Sequence, residues 1–553
     1  MKRSALFALT LSVAAITSAA AQQQLPVARI DSVFLDMNRS DRPGCTLGIF
    51  SAGKLIYSNG YGMANLEYGI ALQPRSVFHV ASISKQFTAF AVELLVSEGL
   101  VSWDDDIRTY VPEIPDYGQP VTLRHLVHHI SGVRDQWDLL LMAGWRWEAD
   151  LVTQANALDV ISRQAALNFE PGAEYLYSNS GFTLLALVVE RVSGKTLREF
   201  AQEQIFAPLG MTSTHFHDDH EMIVPDRAYG YRYHLGEGWK ISIPDFAIVG
   251  ASSLFTTVED MAQWDRNLRD QLLGDAALYQ RFFERGILNG GDTISYAHGI
   301  SVSQYRGQTT IGHGGADAGY RTNYVRFPDS DLGITSFCNF ARANPGAYVQ
   351  QVADILLESV LAPVAEEESP PKIDTAPWEA TFETLRGFYR DPLTDSPLYI
   401  WVHEGNARVT RGFGRDSSGV LIVPEGDDRY SLWPLNVTLT FEMRDGQPQA
   451  IVFPDRRCPY IGLAASDVDS ADYSGVYWSE ELGTEYHVEV DTAFAGGIVL
   501  LHRIRDSERF RPAFRDGFRS GGNWLTFVRD DGGRVTGFTW STGRVRKVVF
   551  TRR

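Results

Sequence analysis

Cysteine is nearly absent: Cys45, Cys338 and Cys458 are the three in 553 residues. They are far apart, odd in number and form no C-x-x-C, so neither a zinc site nor a disulfide framework is signalled. Three buried thiols are expected, and a single Cys45–Cys338 disulfide stays open because both residues lie in strand-like runs. An excess of positive charge is missing as well. Lys and Arg total 50 against 68 Asp and Glu, a formal charge of -18. With no basic stripe, nucleic acid and anionic membrane are not expected as partners. Beyond the N-terminus no apolar run is long enough to span a bilayer, so no integral membrane segment is expected in the mature chain. There is no G-x-S-x-G, no phosphate loop and no dinucleotide fingerprint to support other serine hydrolases or a nucleotide enzyme.

What is present starts with an export signal. Lys2-Arg3, an apolar run from Ala5 to Ile16 and the small residues Ser18-Ala19-Ala20-Ala21 read as a signal peptide over residues 1–21. The mature protein is therefore expected to be periplasmic or secreted. The length predicts roughly three to four domains. Residues 22–361 mix helix and strand signals, residues 362–376 form an acidic, Pro-rich linker, and residues 377–465 and 466–553 read as short strands with Gly and Asp turns.

The chemistry gathers at Ser82-Ile83-Ser84-Lys85. Phe87, Phe90, Leu94 and Leu95 recur at helical spacing after it and predict a buried helix ending near Gly99. Ser82 would stand at its N-terminus, where the dipole favours developing negative charge, and Lys85 one turn on would reach the hydroxyl. A second stretch, Tyr177-Ser178-Asn179, delivers a phenol and an amide to the start of another apolar helix, Phe182 to Val192. The bland alternative there is a core Tyr and a capping Asn. A third, His313-Gly314-Gly315-Ala316, closes a strand whose small residues let another backbone come close, as substrate pairing along a strand edge requires. Two histidine clusters, His125-His128-His129 and His215-His217-His220, lack the spacing of a metal site. Neither metal nor cofactor is expected.

Ser82-x-x-Lys85, Tyr177-x-Asn179 and His313-Gly314-Gly315, in that order, resemble the class C beta-lactamase and penicillin-binding-protein-like serine hydrolases. The resemblance covers roughly residues 26–361 and implies an α+β fold, an antiparallel sheet flanked by helices with the site beside a helical lobe. It implies Ser82 as the acylated nucleophile, Lys85 and Tyr177 as the proton-handling pair, and Asn179 as a substrate-amide ligand. The Ser82 and Ala316 backbone N–H groups would form the oxyanion hole, with Gly314 and Gly315 lining the substrate strand. Which of Lys85 and Tyr177 is the base stays open at this stage. His313 stands where lactamases and carboxypeptidases carry Lys, and a neutral imidazole recognises a carboxylate poorly. His-x-Gly is similar to the D-aminopeptidases and the esterase-like branch, in which His313 would hydrogen-bond Tyr177 or the substrate.

In the C-terminal half Gly387-Phe388-Tyr389 recurs as Gly475-Val476-Tyr477, and Leu439-Thr440-Phe441 recurs as Leu525-Thr526-Phe527. Two small antiparallel β-barrels are predicted, similar to the lipocalin-like barrels of three-domain D-aminopeptidases. They are expected to cover the cleft with a loop that restricts substrates to short peptides. The leading expectation is an exported serine peptidase, an aminopeptidase or a peptidase for D- or non-standard residues. Enzymes that degrade linearised microcystin share this build. A carboxylesterase is the alternative, followed by a beta-lactamase or a non-catalytic peptide-binding protein.

Overall fold

The structure is a computed structural model describing residues 25–147, 149–364, 369–394, 396–411, 419–426, 428–463 and 469–553. The signal peptide and part of the linker lie outside the described residues. A six-stranded antiparallel sheet forms the frame of the first domain, in the order 301–305, 308–317, 320–327, 332–338, 45–51, 54–61. The strands 45–51 and 54–61 are joined by a hairpin at Ala52-Gly53, and both turn residues take positive φ there. Cys45 to Phe50 are buried without alternation. Both sheet faces are covered: Val258–Asp270 packs on one, and Pro345–Leu356 with the first helix, Val27–Ser32, on the other.

Cys45 and Cys338 are direct partners on neighbouring strands and are disulfide-bonded. The expectation of three buried thiols is corrected accordingly. Cross-strand pairing of residues 293 apart in sequence is a tertiary fact that cysteine spacing cannot reveal. Cys458 is free and buried.

The helical lobe is built around Ser84–Ser97 and Asn179–Ser193, which pack on one another. On the first, Phe87 and Phe90 meet Trp264, Tyr279 and Phe282, the helical spacing read from the sequence. That helix stops two residues before Gly99, whose φ is +71. The second apolar helix begins at Asn179, three residues before the expected Phe182, the chain's first helix, Val27–Ser32, is followed by a 3₁₀ turn, Leu35–Met37, and the domain closes with Pro345–Leu356 from an Asn344 cap. The last start was legible as an Asn cap followed by Pro.

Two closed eight-stranded antiparallel barrels follow, over 387–462 and 475–552. The internal repeat has a structural meaning. Tyr389 donates to the Leu385 carbonyl and Tyr477 to the Tyr473 carbonyl, each at 2.7 Å, so the repeated tyrosine pins the lead-in turn of each barrel. Side chains fill both barrels, with Tyr389, Ile400 and Ile451 in the first and Tyr477, Phe527 and Phe538 in the second. Phe388, Tyr399 and Trp401 of the first pack on Phe514 and Trp524 of the second.

Candidate active site

Ser82 sits in a 3₁₀ turn, Ala81–Ile83, that feeds directly into the helix Ser84–Ser97. Its neighbour Ala81 takes φ +50, a left-handed conformation uncommon outside glycine, held by close packing around the turn. Ser84 donates to the Ala81 carbonyl and accepts from the Leu254 N–H at 2.9 Å, fastening the turn to the strand behind it. The turn is thus fixed independently of substrate.

Lys85 is wholly buried and spends its three N–H donors within the site. It donates to Ser82 Oγ at 3.1 Å, Asn179 Oδ1 at 2.9 Å and the Ala251 carbonyl at 2.6 Å. Burial pushes its pKa down to about 7; Asp135 and Asp317 oppose the shift, and the Arg544 guanidinium adds to it. The Tyr177 phenol lines the cleft with Ser82, and burial raises its pKa well above the ordinary tyrosine value. Lys85 is therefore the group of the pair that can be neutral near pH 7, while Tyr177 holds its proton.

Asn179 is oriented at both ends. Its Oδ1 accepts from Lys85, and its Nδ2 and backbone N–H donate to Asp135 Oδ2 at 2.8 and 2.7 Å. One Nδ2 hydrogen is left for a substrate carbonyl. Tyr177 is held from the other side by the 128–132 turn: the Leu176 N–H donates to the His129 carbonyl, the Ser178 N–H to His129 Nδ1, and the His129 ring lies 4.2 Å from the Tyr177 ring. The three predicted motifs thus meet around Ser82.

His313 does not meet Tyr177, one of the two partners expected for it. Its Nε2 faces the Tyr296 hydroxyl at 3.0 Å and its Nδ1 the Gly314 carbonyl, while its ring centroid is 6.2 Å from that of Tyr177. Burial, with Lys85 nearby, pushes the imidazole down to about 4, so it is neutral at physiological pH.

Strand 308–317 pairs with 301–305 only as far as Gly312, leaving His313 to Asp317 as a free edge toward the cleft. The two glycines differ. A Cβ on Gly315 would lie 2.3 Å from the Val80 carbonyl oxygen and Thr322 Oγ1, so glycine there lets the strand approach the nucleophile turn itself. A Cβ on Gly314 would meet nothing closer than 3.6 Å. Thr322 donates to the same Val80 carbonyl at 2.9 Å, tying the sheet to the turn, and Ala316 lines the same cleft as Ser82.

The cleft encloses about 780 Å³ and is lined by Ser82, Tyr177, Asn179, His313 and Gly314 to Asp317. Trp137, Trp147 and Phe246 form an apolar wall, with Trp137 5.3 Å from Trp147 and 5.0 Å from Phe246. Its remaining charged residues include Asp138, Arg321 and Arg544. Sequence reasoning missed Asp135, Tyr296 and Arg544. Asp135 lies six residues after His129 of the first histidine cluster, with no motif of its own; Arg544 comes from the second barrel, and no local signal placed it here. The histidine clusters play other parts: His125 closes a capping box, His128 packs on His298 at 5.0 Å, and His215 stacks on Phe255.

The second barrel is docked beside the cleft. Thr542 donates to Asp138, Arg546 makes a two-point ion pair with Glu174 at 3.2 and 2.9 Å, and Arg134 pairs with Glu481 at 2.7 Å with little exposure of either. Arg546 also reaches the Leu393 carbonyl of the first barrel at 2.9 Å. Asn168 receives the Arg546 N–H and donates to the Arg544 carbonyl, both at 2.8 Å.

Comparison with known proteins agrees with this geometry. The Beta-lactamase family profile matches residues 30–357. A D-aminopeptidase of Gluconobacter oxydans is 26% identical over 533 residues, covering 92% of this chain and 96% of its own length. A D-aminopeptidase of Brucella anthropi is 26% identical over 522 residues, with 92% and 95% covered. Among solved structures, an octameric penicillin-binding protein homologue from Pyrococcus abyssi superposes with TM-score 0.54 at 22% identity, over 78% of this chain and 99% of that one. A D-amino acid amidase from Ochrobactrum anthropi SV3 gives TM-score 0.52 at 22% identity, over 60% and 99%. With the profile covering more than half the chain and the motifs assembled around one cleft, the protein belongs to the Beta-lactamase family as a serine hydrolase, with two barrels appended.

Proposed function

We propose that the protein is an exported peptidase that cleaves short peptides through an acyl-enzyme on Ser82, with the free amine of the substrate held in the cleft. The observation that carries the reading is the buried Lys85 ammonium nitrogen 3.1 Å from Ser82 Oγ, poised to be neutral near pH 7. Neutral Lys85 takes the hydroxyl proton as Ser82 Oγ attacks the carbonyl carbon, and the oxyanion rests on the Ser82 and Ala316 N–H groups. Tyr177, protonated, passes its proton to the departing amine and is reprotonated by the proton that Lys85 took from Ser82; in deacylation Lys85 takes a proton from the attacking water and returns it to Ser82 Oγ. Asn179 supplies its free N–H to the substrate backbone.

An amine-recognising carboxylate is available beside the oxyanion position. Asp317 follows Ala316 on the free strand edge and accepts from Ser252 Oγ at 3.2 Å. Burial raises its pKa to about 6, which a bound ammonium would lower again. The D-aminopeptidase relatives match across both barrels, which supports the peptidase reading over an esterase. Export is supported by the disulfide, since such bonds persist in oxidising compartments. The neutral His313 favours one competitor, an esterase, because that position offers no cation for a substrate carboxylate.

The test is turnover of D- and L-aminoacyl anilides, dipeptides with free and acetylated amines, and a short-chain nitrophenyl ester, with Ser82→Ala beside the wild type. Hydrolysis of free-amine substrates that vanishes in Ser82→Ala is expected. Turnover of the ester alone would transfer the assignment to the esterase.

A further inference from the structure

The sequence places His313 where related hydrolases carry a cation, yet the assembled cleft contains a guanidinium from another domain. Arg544 lies in the turn 541–547 of the second barrel and lines the same cavity as Ser82, Tyr177 and Asn179. Its guanidinium carbon stands 5.0 Å from the centre of the Tyr177 ring. The turn carrying it is built before any substrate arrives. The Thr542 hydroxyl accepts from the Arg544 and Val545 N–H groups, the Arg544 carbonyl accepts from Asn168 Nδ2, and Arg546 is clamped to Glu174.

The guanidinium itself is under-used. Among the described residues its nearest charged partner is Asp135, at 3.8 Å, beyond hydrogen-bond distance, and the Asp138 carboxyl, which accepts from Thr542, acts on it through space. Asp135 is wholly buried, and its oxygens already accept from the Asn179 N–H groups and the Trp137 N–H. The Arg544 side chain is 44% exposed, toward the cleft. Two other cations of the site differ in this respect: Lys85 has all three donors engaged, and Arg321 Nη1 donates to the Ala318 and Tyr320 carbonyls of its own turn. A planar fork with free donors, fixed beside the nucleophile, matches a carboxylate.

We propose that Arg544 is a specificity residue that binds a carboxylate of the substrate, so that the second barrel supplies the anion recognition that His313 does not. The inference rests on the peptidase reading for the carboxylate to belong to a peptide. Two sources share this chemistry, the C-terminal carboxylate of a short peptide and an acidic side chain. With Asp317 taking the ammonium and Arg544 the carboxylate, a peptide with a free C-terminus would be read at both ends, favouring dipeptides over longer chains.

Binding to the Ser82→Ala variant separates this from turnover. Calorimetric titration would use a matched set in both D and L series: Ala-Gly, Ala-Gly amide, Glu-Gly amide and Gln-Gly amide. Ala-Gly is expected to bind about 10- to 100-fold more tightly than its amide if the C-terminus is read, and Glu-Gly amide more tightly than Gln-Gly amide if the side chain is read. Adding Arg544→Gln should erase that preference by weakening the carboxylate ligands toward their carboxamide counterparts, with Arg544→Lys restoring part of it. Equal binding of carboxylate and carboxamide ligands by Ser82→Ala would overturn the proposal. So would an equal weakening of both by Arg544→Gln, which would reduce Arg544 to a structural prop. Failure of the peptidase reading is seen separately, as absence of peptide turnover by the wild type.

Discussion

Lys85 must accept a proton while wholly buried, and the same burial that makes an ammonium costly makes it a base. With its pKa pushed down to about 7, the neutral form is present above that pH and lost below it. The kcat/KM profile is therefore expected to rise with pH through about 7 and level off, not to climb near 10 as an exposed lysine would. Lys85→Arg keeps a cation that does not give up its proton, and should lower kcat/KM by about 10²- to 10⁴-fold with the fold intact by circular dichroism. A profile that rises only near pH 10 would point to a solvated base elsewhere. The sequence made Ser82, Lys85, Tyr177 and Asn179 legible because each lies in a short local motif. Their choice of roles was not legible, since it depends on desolvation by Phe182, Tyr177 and the Ala251 loop, which come from distant parts of the chain.

The strand 308–317 and the nucleophile turn act as one unit, and glycine sets their spacing at one point. Gly315→Ala would push a methyl group against the Val80 carbonyl and Thr322 Oγ1. The strand must then shift and carry the Ala316 N–H away from the oxyanion, with an expected loss of about 10²- to 10³-fold in kcat. Gly314→Ala has space, so it should leave kcat within a few-fold, and equal effects of the two substitutions would contradict this account of the edge. A run of small residues signalled close approach in the sequence, but not that the approaching backbone at Gly315 is the protein's own. The disulfide belongs to this scale too. It closes a loop of 293 residues between adjacent strands, and the paired Cys45→Ser, Cys338→Ser variant should lose about 2–5 kcal/mol of stability in denaturant unfolding. Strand-like runs at both cysteines were readable, whereas the register that makes them partners was fixed only when the sheet closed.

At the scale of the molecule, the second barrel is part of the cleft. The nearly buried Arg134–Glu481 pair and the Arg546–Glu174 pair hold it against the helix and turn that carry Asp135 and Tyr177. Glu481→Ala leaves the Arg134 guanidinium without its charge partner in a dry interface, a destabilisation of about 3–5 kcal/mol of the docked state. Amide exchange should then increase in residues 541–547 and 168–177 together. Exchange confined to the barrel would mean that the barrel does not brace the site. Barrel architecture was legible from short strands, turns and an internal repeat, while its docking was not, because the contacts join single side chains hundreds of residues apart. The central claim, that this assembly activates Ser82, is tested most directly by acid-quenching the enzyme during turnover of a short-chain nitrophenyl ester and mapping the acylated peptide by mass spectrometry. The account predicts one acyl group, on Ser82, and none in Ser82→Ala; an acyl group on another residue, or turnover surviving in Ser82→Ala, would contradict it.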